Sequence, residues 1–178
     1  MDASLLIWIQ EHLRFDALTP VVAFISMLGD SGLIWVVLAL LFLFFAQLRR
    51  AGLMALVSLA GSVLVVNVVL KHLVGRPRPY EVLPEIVRLI PPPSGSSFPS
   101  GHAASAFAAA VIMYLYLPKK FGIPALVLAT VIALSRLYLG VHYPSDVLAG
   151  AVIGAAIAGA VYVVDTKFIE PRMKTKEV

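Results

Sequence analysis

Five long runs of apolar residues dominate this sequence and decide what the chain can fold into. A helix that spans a membrane needs about 20 mostly apolar residues, and uncharged flanks extend the shorter runs toward that length. None of the runs alternates with a period of two, which disfavours a membrane β-barrel. Helices satisfy their own backbone hydrogen bonds in lipid, so the sequence predicts an all-α integral membrane protein. The runs are residues 33–48, 51–70, 103–117, 121–135 and 147–164.

A sixth apolar segment, residues 17–28, lies before these runs and is less decisive because it is short. Twelve helical residues extend only about 18 Å, enough to span a thin region inside a bundle. We therefore expect one domain with six transmembrane helices, and five is the alternative. Before this segment, apolar residues share one helical face and predict an amphipathic helix on the membrane surface. They are Leu5, Leu6, Ile9 and Leu13.

The charge pattern predicts how the bundle is oriented. Only 13% of the residues are charged, whereas a soluble domain has about one quarter, so lipid is the expected solvent. Three basic clusters fall on one face if each run crosses once, and the positive-inside rule makes that face cytoplasmic. A multi-pass protein of the cell inner membrane with cytoplasmic termini is the prediction. The clusters are Arg49 and Arg50, Lys119 and Lys120, and Lys167, Arg172, Lys174 and Lys176.

The opposite, extracytoplasmic face also carries charges, in residues 71–100 and 136–146. Charged groups close to hydrocarbon are costly and by default indicate function. Arginine and lysine bind phosphate, and so does a helix N-terminus such as the one that Ser100 and Gly101 predict. The chain has no cysteine, so a histidine close to a carboxylate is the best available nucleophile.

Three motifs on this face carry a resemblance to a known family. They are Lys71 with Arg78-Pro79, then Pro-Ser-Gly-His at residues 99–102, then Ser135-Arg136 with His142 and Asp146. Their order and spacing resemble those of the type 2 phosphatidic acid phosphatase (PAP2) superfamily, which includes lipid phosphate phosphatases. The resemblance covers residues 53–164 of a single domain, residues 1–178.

The resemblance implies a role for each motif residue. His142 would attack phosphorus and form a phosphohistidine, Asp146 would orient His142, and His102 would protonate the leaving oxygen and then activate water. Members of the family need no metal, so neither a metal nor another cofactor is expected. The phosphoryl oxygens would be held by Lys71, Arg78, Ser100, Gly101 and Arg136.

The expected partner is a membrane lipid rather than a nucleic acid, because no basic stripe or known nucleic-acid motif is present. Candidate substrates are undecaprenyl pyrophosphate, phosphatidylglycerol phosphate, phosphatidic acid and the 1-phosphate of lipid A. Two alternatives remain: a phosphotransferase of the same fold, and a scaffold or transporter without catalysis. Arg76 stays outside the predicted site, and residues 80–97 are a candidate lid or headgroup selector.

Overall fold

The protein is a bundle of helices with short connections except for residues 83–100, which contain no helix. The computed structural model describes residues 2–171, so Arg172, Lys174 and Lys176 of the third basic cluster lie outside the described residues. A π-helical stretch, Val63–Leu70, joins α4 to α5, and a second, Asp165–Ile169, continues α9. The α-helices are α1 Asp2–Leu13, α2 Thr19–Leu28, α3 Leu33–Leu43, α4 Arg49–Ser62, α5 Lys71–Val74, α6 Pro79–Val82, α7 Gly101–Tyr116, α8 Lys119–Tyr138 and α9 Pro144–Val164.

Helix α7 forms the centre of the bundle and packs against α8, α9 and α4. Its buried face is built mostly from alanine, and small side chains let helix backbones approach closely in lipid. The facing positions Gly150 and Gly154 of α9 allow the same approach, because a side chain at either would collide with the backbone of α7. The four-residue spacing of Gly150, Gly154 and Ala158 puts these small residues on one face of α9, which suits this close packing.

The described chain contains three helical segments long and apolar enough to cross a membrane: residues 49–82, 119–138 and 144–169. Helices α2 and α3 reach the same length and hydropathy as a pair, joined across a bend of 45°, and the count of candidate spans is four when this pair is taken as one crossing. Helix α7 is apolar but shorter. The all-helical membrane architecture is therefore confirmed, but the count of six spans is not. Residues 29–32, between α2 and α3, form a tight turn.

The two ends of the bundle carry different residues. One end holds the starts of α4 and α8 together with the C-terminal extension of α9, and there Arg50 pairs with Asp165 at 2.8 Å. The other end holds the motifs of the opposite predicted face. The predicted grouping of Arg49 and Arg50, Lys119 and Lys120, and Lys167 at one end agrees with this arrangement.

The N-terminal helix α1 lies at the end that carries the motifs. Asp2 pairs with Arg76 at 3.1 Å and accepts a hydrogen bond from the backbone N–H of Ser145 at 3.3 Å. Leu6 of α1 is fully buried, whereas Leu5 is 46% exposed. Since residues 165–169 lie at the other end, the prediction that both termini share one face is not confirmed.

Candidate active site

Six of the eight predicted site residues line one cavity of about 730 Å³. They come from α5, the turn before α6, the start of α7, the end of α8 and the α8–α9 turn, which all meet at the same end of the bundle. The other two predicted residues, Ser100 and Asp146, are fully buried behind the cavity wall. The six are Lys71, Arg78, Gly101, His102, Arg136 and His142.

Two of the three cations at the cavity, Arg78 and Arg136, donate hydrogen bonds to neutral groups. Arg78 donates to three backbone carbonyls at 2.9–3.1 Å. Arg136 donates to the hydroxyl of Ser26, and its Nε is buried without a hydrogen-bond partner within residues 2–171. No carboxylate of the described chain lies within salt-bridge distance of these two guanidinium groups or of Lys71. Because buried charges are normally paired, this cluster fits an anion supplied by a ligand.

His142 is 2% exposed and sits in the turn between α8 and α9. Its Nδ1 lies 3.4 Å from Oδ2 of Asp146, in the first turn of α9. Its Nε2 lies 3.4 Å from a guanidinium nitrogen of Arg78. When the Nδ1 proton faces Asp146, Nε2 carries the lone pair, which accepts from Arg78 and is the pair that can attack a group bound in the cavity.

Asp146 is held rigidly by three donors besides His142. Its Oδ2 accepts hydrogen bonds from the hydroxyl of Ser97 at 2.5 Å and from the backbone N–H of Tyr143 at 2.9 Å. Its Oδ1 accepts from Arg76 at 2.6 Å. These donors favour the ionised carboxylate and fix its direction, so that it can orient the imidazole of His142.

Burial lowers the pKa of His142 to about 3, and the positive charges of Arg78 and Arg136 act in the same direction. The hydrogen bond with Asp146 opposes this lowering but does not outweigh it. The imidazole is therefore neutral near pH 7, which is the protonation state that a nitrogen nucleophile needs.

The second motif places its residues at the start of α7. Ser100 is the N-cap residue, and its hydroxyl accepts a hydrogen bond from the backbone N–H of Ala103 at 3.5 Å. A side chain at residue 101 would lie 3.0 Å from Oδ1 of Asn67 and 3.8 Å from Nζ of Lys71, so glycine keeps the backbone accessible there. The first N–H groups of α7 thus open toward the cations, as an anion site requires.

His102, one residue further along, lies at the cavity with its Nε2 2.8 Å from Oδ1 of Asp30. Sequence reasoning missed Asp30, because it lies in the N-terminal third, which carries no motif residue. It also missed Ser97 and left out Arg76, although both contact Asp146. Arg76 lies two residues before Arg78, inside the first motif, and that position was a signal from which its place near the site could have been predicted.

The cavity continues beyond the charged groups into an apolar region between α3 and α4. Val36 of α3 and Leu56 and Leu59 of α4 line this part. From Leu56 to Lys71 the helical chain covers about 20 Å. The π-helical stretch between α4 and α5 contributes Val63 and Asn67 to the same wall. One continuous cavity therefore has a cationic end and an apolar end.

Metal binding has no obvious place in this arrangement. Within residues 2–171, no three His, Asp or Glu side chains are close enough to hold a metal ion together. The charged and titratable side chains that line the cavity are two histidines, three cations and Asp30, and the cations repel a metal ion.

These features define a class of protein: a helical membrane protein with a histidine–carboxylate pair facing a cation-lined cavity. The sequence profile of the PAP2 superfamily matches residues 51–170, and the chain belongs to that family. The matched range includes every predicted site residue.

Relatives extend the match beyond these motifs. The chain is 32% identical over 145 residues to an undecaprenyl-diphosphatase of Sulfolobus acidocaldarius, covering 82% of this chain and 69% of the relative. It is 41% identical over 143 residues to a decaprenylphosphoryl-5-phosphoribose phosphatase of Mycobacterium tuberculosis, covering 77% and 75% of the two chains.

Solved structures share the fold. The crystal structure of a PAP2-type phosphatidylglycerolphosphate phosphatase from Bacillus subtilis superposes with a TM-score of 0.76 at 29% identity, covering 93% of this chain and 85% of that one. The crystal structure of Aquifex aeolicus LpxE superposes with a TM-score of 0.75 at 26% identity, covering 90% and 94%.

Proposed function

We propose that this chain is a lipid phosphatase that hydrolyses a phosphomonoester or a pyrophosphate on a long-chain lipid. The observation that carries the proposal is the single cavity with three cations and two histidines at one end and apolar walls at the other. A soluble phosphate ester has no apolar group to fill the apolar end of the cavity. An amphiphile fits both parts, with its headgroup among the cations and the first part of its chain between α3 and α4.

In the first step, Nε2 of His142 attacks phosphorus and the bond to the leaving oxygen breaks. Asp146 holds the imidazole in the reactive tautomer and stabilises the charge that develops on it. His102 gives a proton to the leaving oxygen. The product of this step is a phosphohistidine at residue 142 and a free lipid alcohol or a lipid monophosphate.

In the second step, His102 takes a proton from water, which attacks the phosphohistidine and releases inorganic phosphate. Lys71, Arg78 and Arg136 hold the phosphoryl oxygens in both steps, aided by Ser100 and the backbone N–H of Gly101. Fixed donors of this kind stabilise the transition state because they need no reorganisation during the reaction. No metal takes part in this scheme.

The relatives suggest which lipids to test. Their names include an undecaprenyl-diphosphatase, a decaprenylphosphoryl-5-phosphoribose phosphatase and a lipid A 4'-phosphatase of Bacteroides thetaiotaomicron. The structural neighbour from Bacillus subtilis is a phosphatidylglycerolphosphate phosphatase. We propose that the substrate is one of these phosphorylated lipids and that residues 80–97, which supply Pro93 and Ser94 to the cavity, help to select its headgroup.

The chain would cross the cell inner membrane five times, with the active site on the extracytoplasmic face. The crossings are the bent pair α2–α3, the continuous segment of α4 and α5, and then α7, α8 and α9. Helix α1 would rest at the extracytoplasmic surface, and residues 165–169 would lie on the cytoplasmic side, where Arg49, Arg50, Lys119 and Lys120 also lie.

Phosphate release from the purified protein tests this proposal. The protein in detergent or in lipid vesicles is offered a panel of undecaprenyl pyrophosphate, phosphatidylglycerol phosphate, phosphatidic acid and lipid A, with EDTA present. We expect release from at least one lipid at a rate that EDTA does not change. A requirement for added Mg²⁺, or no release from any lipid, would contradict the proposal. Adding an acceptor lipid separates hydrolysis from transfer, because a phosphotransferase would form a phosphorylated acceptor instead of inorganic phosphate.

A further inference from the structure

A second histidine–carboxylate pair lies at the cavity, formed by His102 and Asp30. Nε2 of His102 and Oδ1 of Asp30 are 2.8 Å apart. The His102 side chain is 16% exposed and the Asp30 side chain 61% exposed, so the pair faces the open cavity. This arrangement differs from the buried pair of His142 and Asp146, and neither the family motifs nor the sequence reasoning includes Asp30.

The backbone around Asp30 is built to hold it there. Asp30 begins the short 3-10 turn that breaks the first span, and Ser31 and Gly32 both have positive φ, 52° and 70°. A left-handed backbone is unfavourable for serine and persists only where the surroundings impose it. A side chain at Gly29 would lie 2.9 Å from Cδ2 of His102 and 2.7 Å from Cγ2 of Ile132, so the break is packed directly against the histidine.

The charges around His102 indicate a role for Asp30. Arg136 of α8 and Lys71 of α5 line the cavity together with His102, and their positive charges oppose a proton on its imidazole, whereas the carboxylate of Asp30 favours one. An acid that must hold a proton among cations needs an anion beside it. Within residues 2–171, Asp30 is the carboxylate that contacts His102.

We propose that Asp30 is a positioning residue for catalysis, which orients His102 and stabilises its protonated form when it acts as the general acid. The inference rests on the proposed function. Nε2–H of His102 donates to Asp30, and Nδ1–H goes to the leaving oxygen as the bond from phosphorus to that oxygen breaks. In the second step the proton from water returns to Nδ1, and Asp30 again stabilises the imidazolium.

The substitution Asp30→Asn tests this role, with Asp16→Asn as the control. Asp16 is an exposed carboxylate of the same N-terminal region, outside the cavity. Loss of general-acid catalysis costs about 10²–10⁴-fold, and we expect D30N to lose at least about 10-fold in kcat on the lipid substrate. D16N should match the wild type.

Two readouts separate positioning from a merely structural effect. The alkaline limb of the pH profile of kcat/KM should move to lower pH in D30N, because the acid loses its proton more easily. Phosphoenzyme formation from para-nitrophenyl phosphate should be much less affected than turnover of the lipid, because nitrophenolate leaves without a proton. The variant Asp30→Glu keeps the carboxylate and should retain the alkaline limb even if its rate falls.

The outcomes distinguish this inference from the proposed function. If the wild type releases no phosphate from any lipid, the proposed function fails. If the wild type is active and D30N keeps the wild-type pH profile, or loses the same factor on both substrates, the role of Asp30 is overturned while the proposed function stands. Should D30N not be recovered as a folded protein, a D30E variant with a shifted alkaline limb would equally overturn it.

Discussion

The two ends of the bundle handle buried charge in opposite ways. At the end formed by the start of α4, Asp165 is almost fully buried. Arg50 neutralises its charge at 2.8 Å, and the hydroxyl of Tyr116 donates a hydrogen bond to it at 2.5 Å. At the other end, Arg78 and Arg136 are just as buried, but within residues 2–171 their side-chain donors meet carbonyls, a hydroxyl and the imidazole of His142 and no carboxylate.

This difference separates a structural cluster from a binding site. A charge buried in a membrane protein is costly unless it is paired. The pair of Arg50 and Asp165 meets that condition within the chain and ties α4 to α9. The cations at the active-site end have no carboxylate partner among the described residues. They therefore lower the stability of the protein without ligand and favour binding of a phosphoryl group.

Removal of the nucleophile gives the largest effect. We expect His142→Ala to reduce phosphate release at least about 10⁴-fold, because the loss of a nucleophile removes the covalent route entirely. The matched control is His72→Ala, since His72 is exposed and bonds only the backbone carbonyl of Val68. Both are assayed by phosphate release in the same detergent. An H142A variant that kept most of its activity would contradict the mechanism.

Exchanging one arginine at each end compares the two clusters directly. Arg136→Met should lower kcat/KM about 10²–10³-fold, as expected for loss of a transition-state donor. Its melting temperature should stay equal or rise, because replacing an unpaired buried charge with an apolar group removes a desolvation cost.

Arg50→Met should behave in the opposite way. It leaves Asp165 buried without its cation, so the melting temperature should fall by a few degrees, about 2–4 °C per kcal/mol lost in a chain of this size. Turnover per folded molecule should not change. If R50M instead lost turnover and R136M lost only stability, the distinction between the two ends would be wrong.

The close packing of α7 against α9, two helices that run between the ends of the bundle, can be tested at Gly154 of α9. A side chain there would collide with the carbonyl oxygen of Ala104 in α7, whereas one at Gly159 meets nothing within 4 Å. We expect Gly154→Ala to destabilise the bundle by about 1–3 kcal/mol through overpacking. Gly159→Ala should be neutral or stabilising, since alanine favours helix. Melting temperatures of the two variants measure the difference, and equal values would argue against close packing of α7 and α9.

The smallest effect concerns pH. Because burial lowers the pKa of His142 to about 3, below the usual value of about 6.5, the unfolded chain binds the proton more readily. The contribution of this residue to stability is therefore complete above about pH 6.5 and declines as the pH falls toward 3. The melting temperature of the wild type should fall relative to His142→Gln between about pH 7 and about pH 5. A constant difference would mean that the imidazole is not buried as described.

The sequence predicted the active-site end better than the membrane crossings. Six motif residues line one cavity, because each lies next to a helix end whose position follows from an apolar run, and their roles stay predictions. The separate crossing predicted for residues 17–28 is not confirmed. The length and hydropathy of this segment fit a short separate crossing and one half of a bent crossing equally well. The turn at residues 29–32 distinguishes the two, and that turn depends on packing against α7 and α8.

Contacts between distant residues were also beyond sequence reasoning. Asp2 and Ser145 are far apart in the chain, and only the packing of α1 against α8 and α9 brings them together. The contact between Asp30 and His102 depends in the same way on the break in the first span. Neither Asp2 nor Asp30 lies in a sequence pattern that would indicate such a contact.

Detection of the phosphoenzyme tests the mechanism most directly. The variant His102→Ala is mixed with para-nitrophenyl phosphate, whose leaving group needs no proton, so that the second step is the slow one. The reaction is quenched in alkali, where phosphohistidine survives, and the peptides are analysed by mass spectrometry. We predict a phosphoryl group on His142 that is absent when the same residue is replaced by alanine. Turnover without any phosphorylated peptide, or a phosphoryl group on another residue, would contradict nucleophilic catalysis by His142.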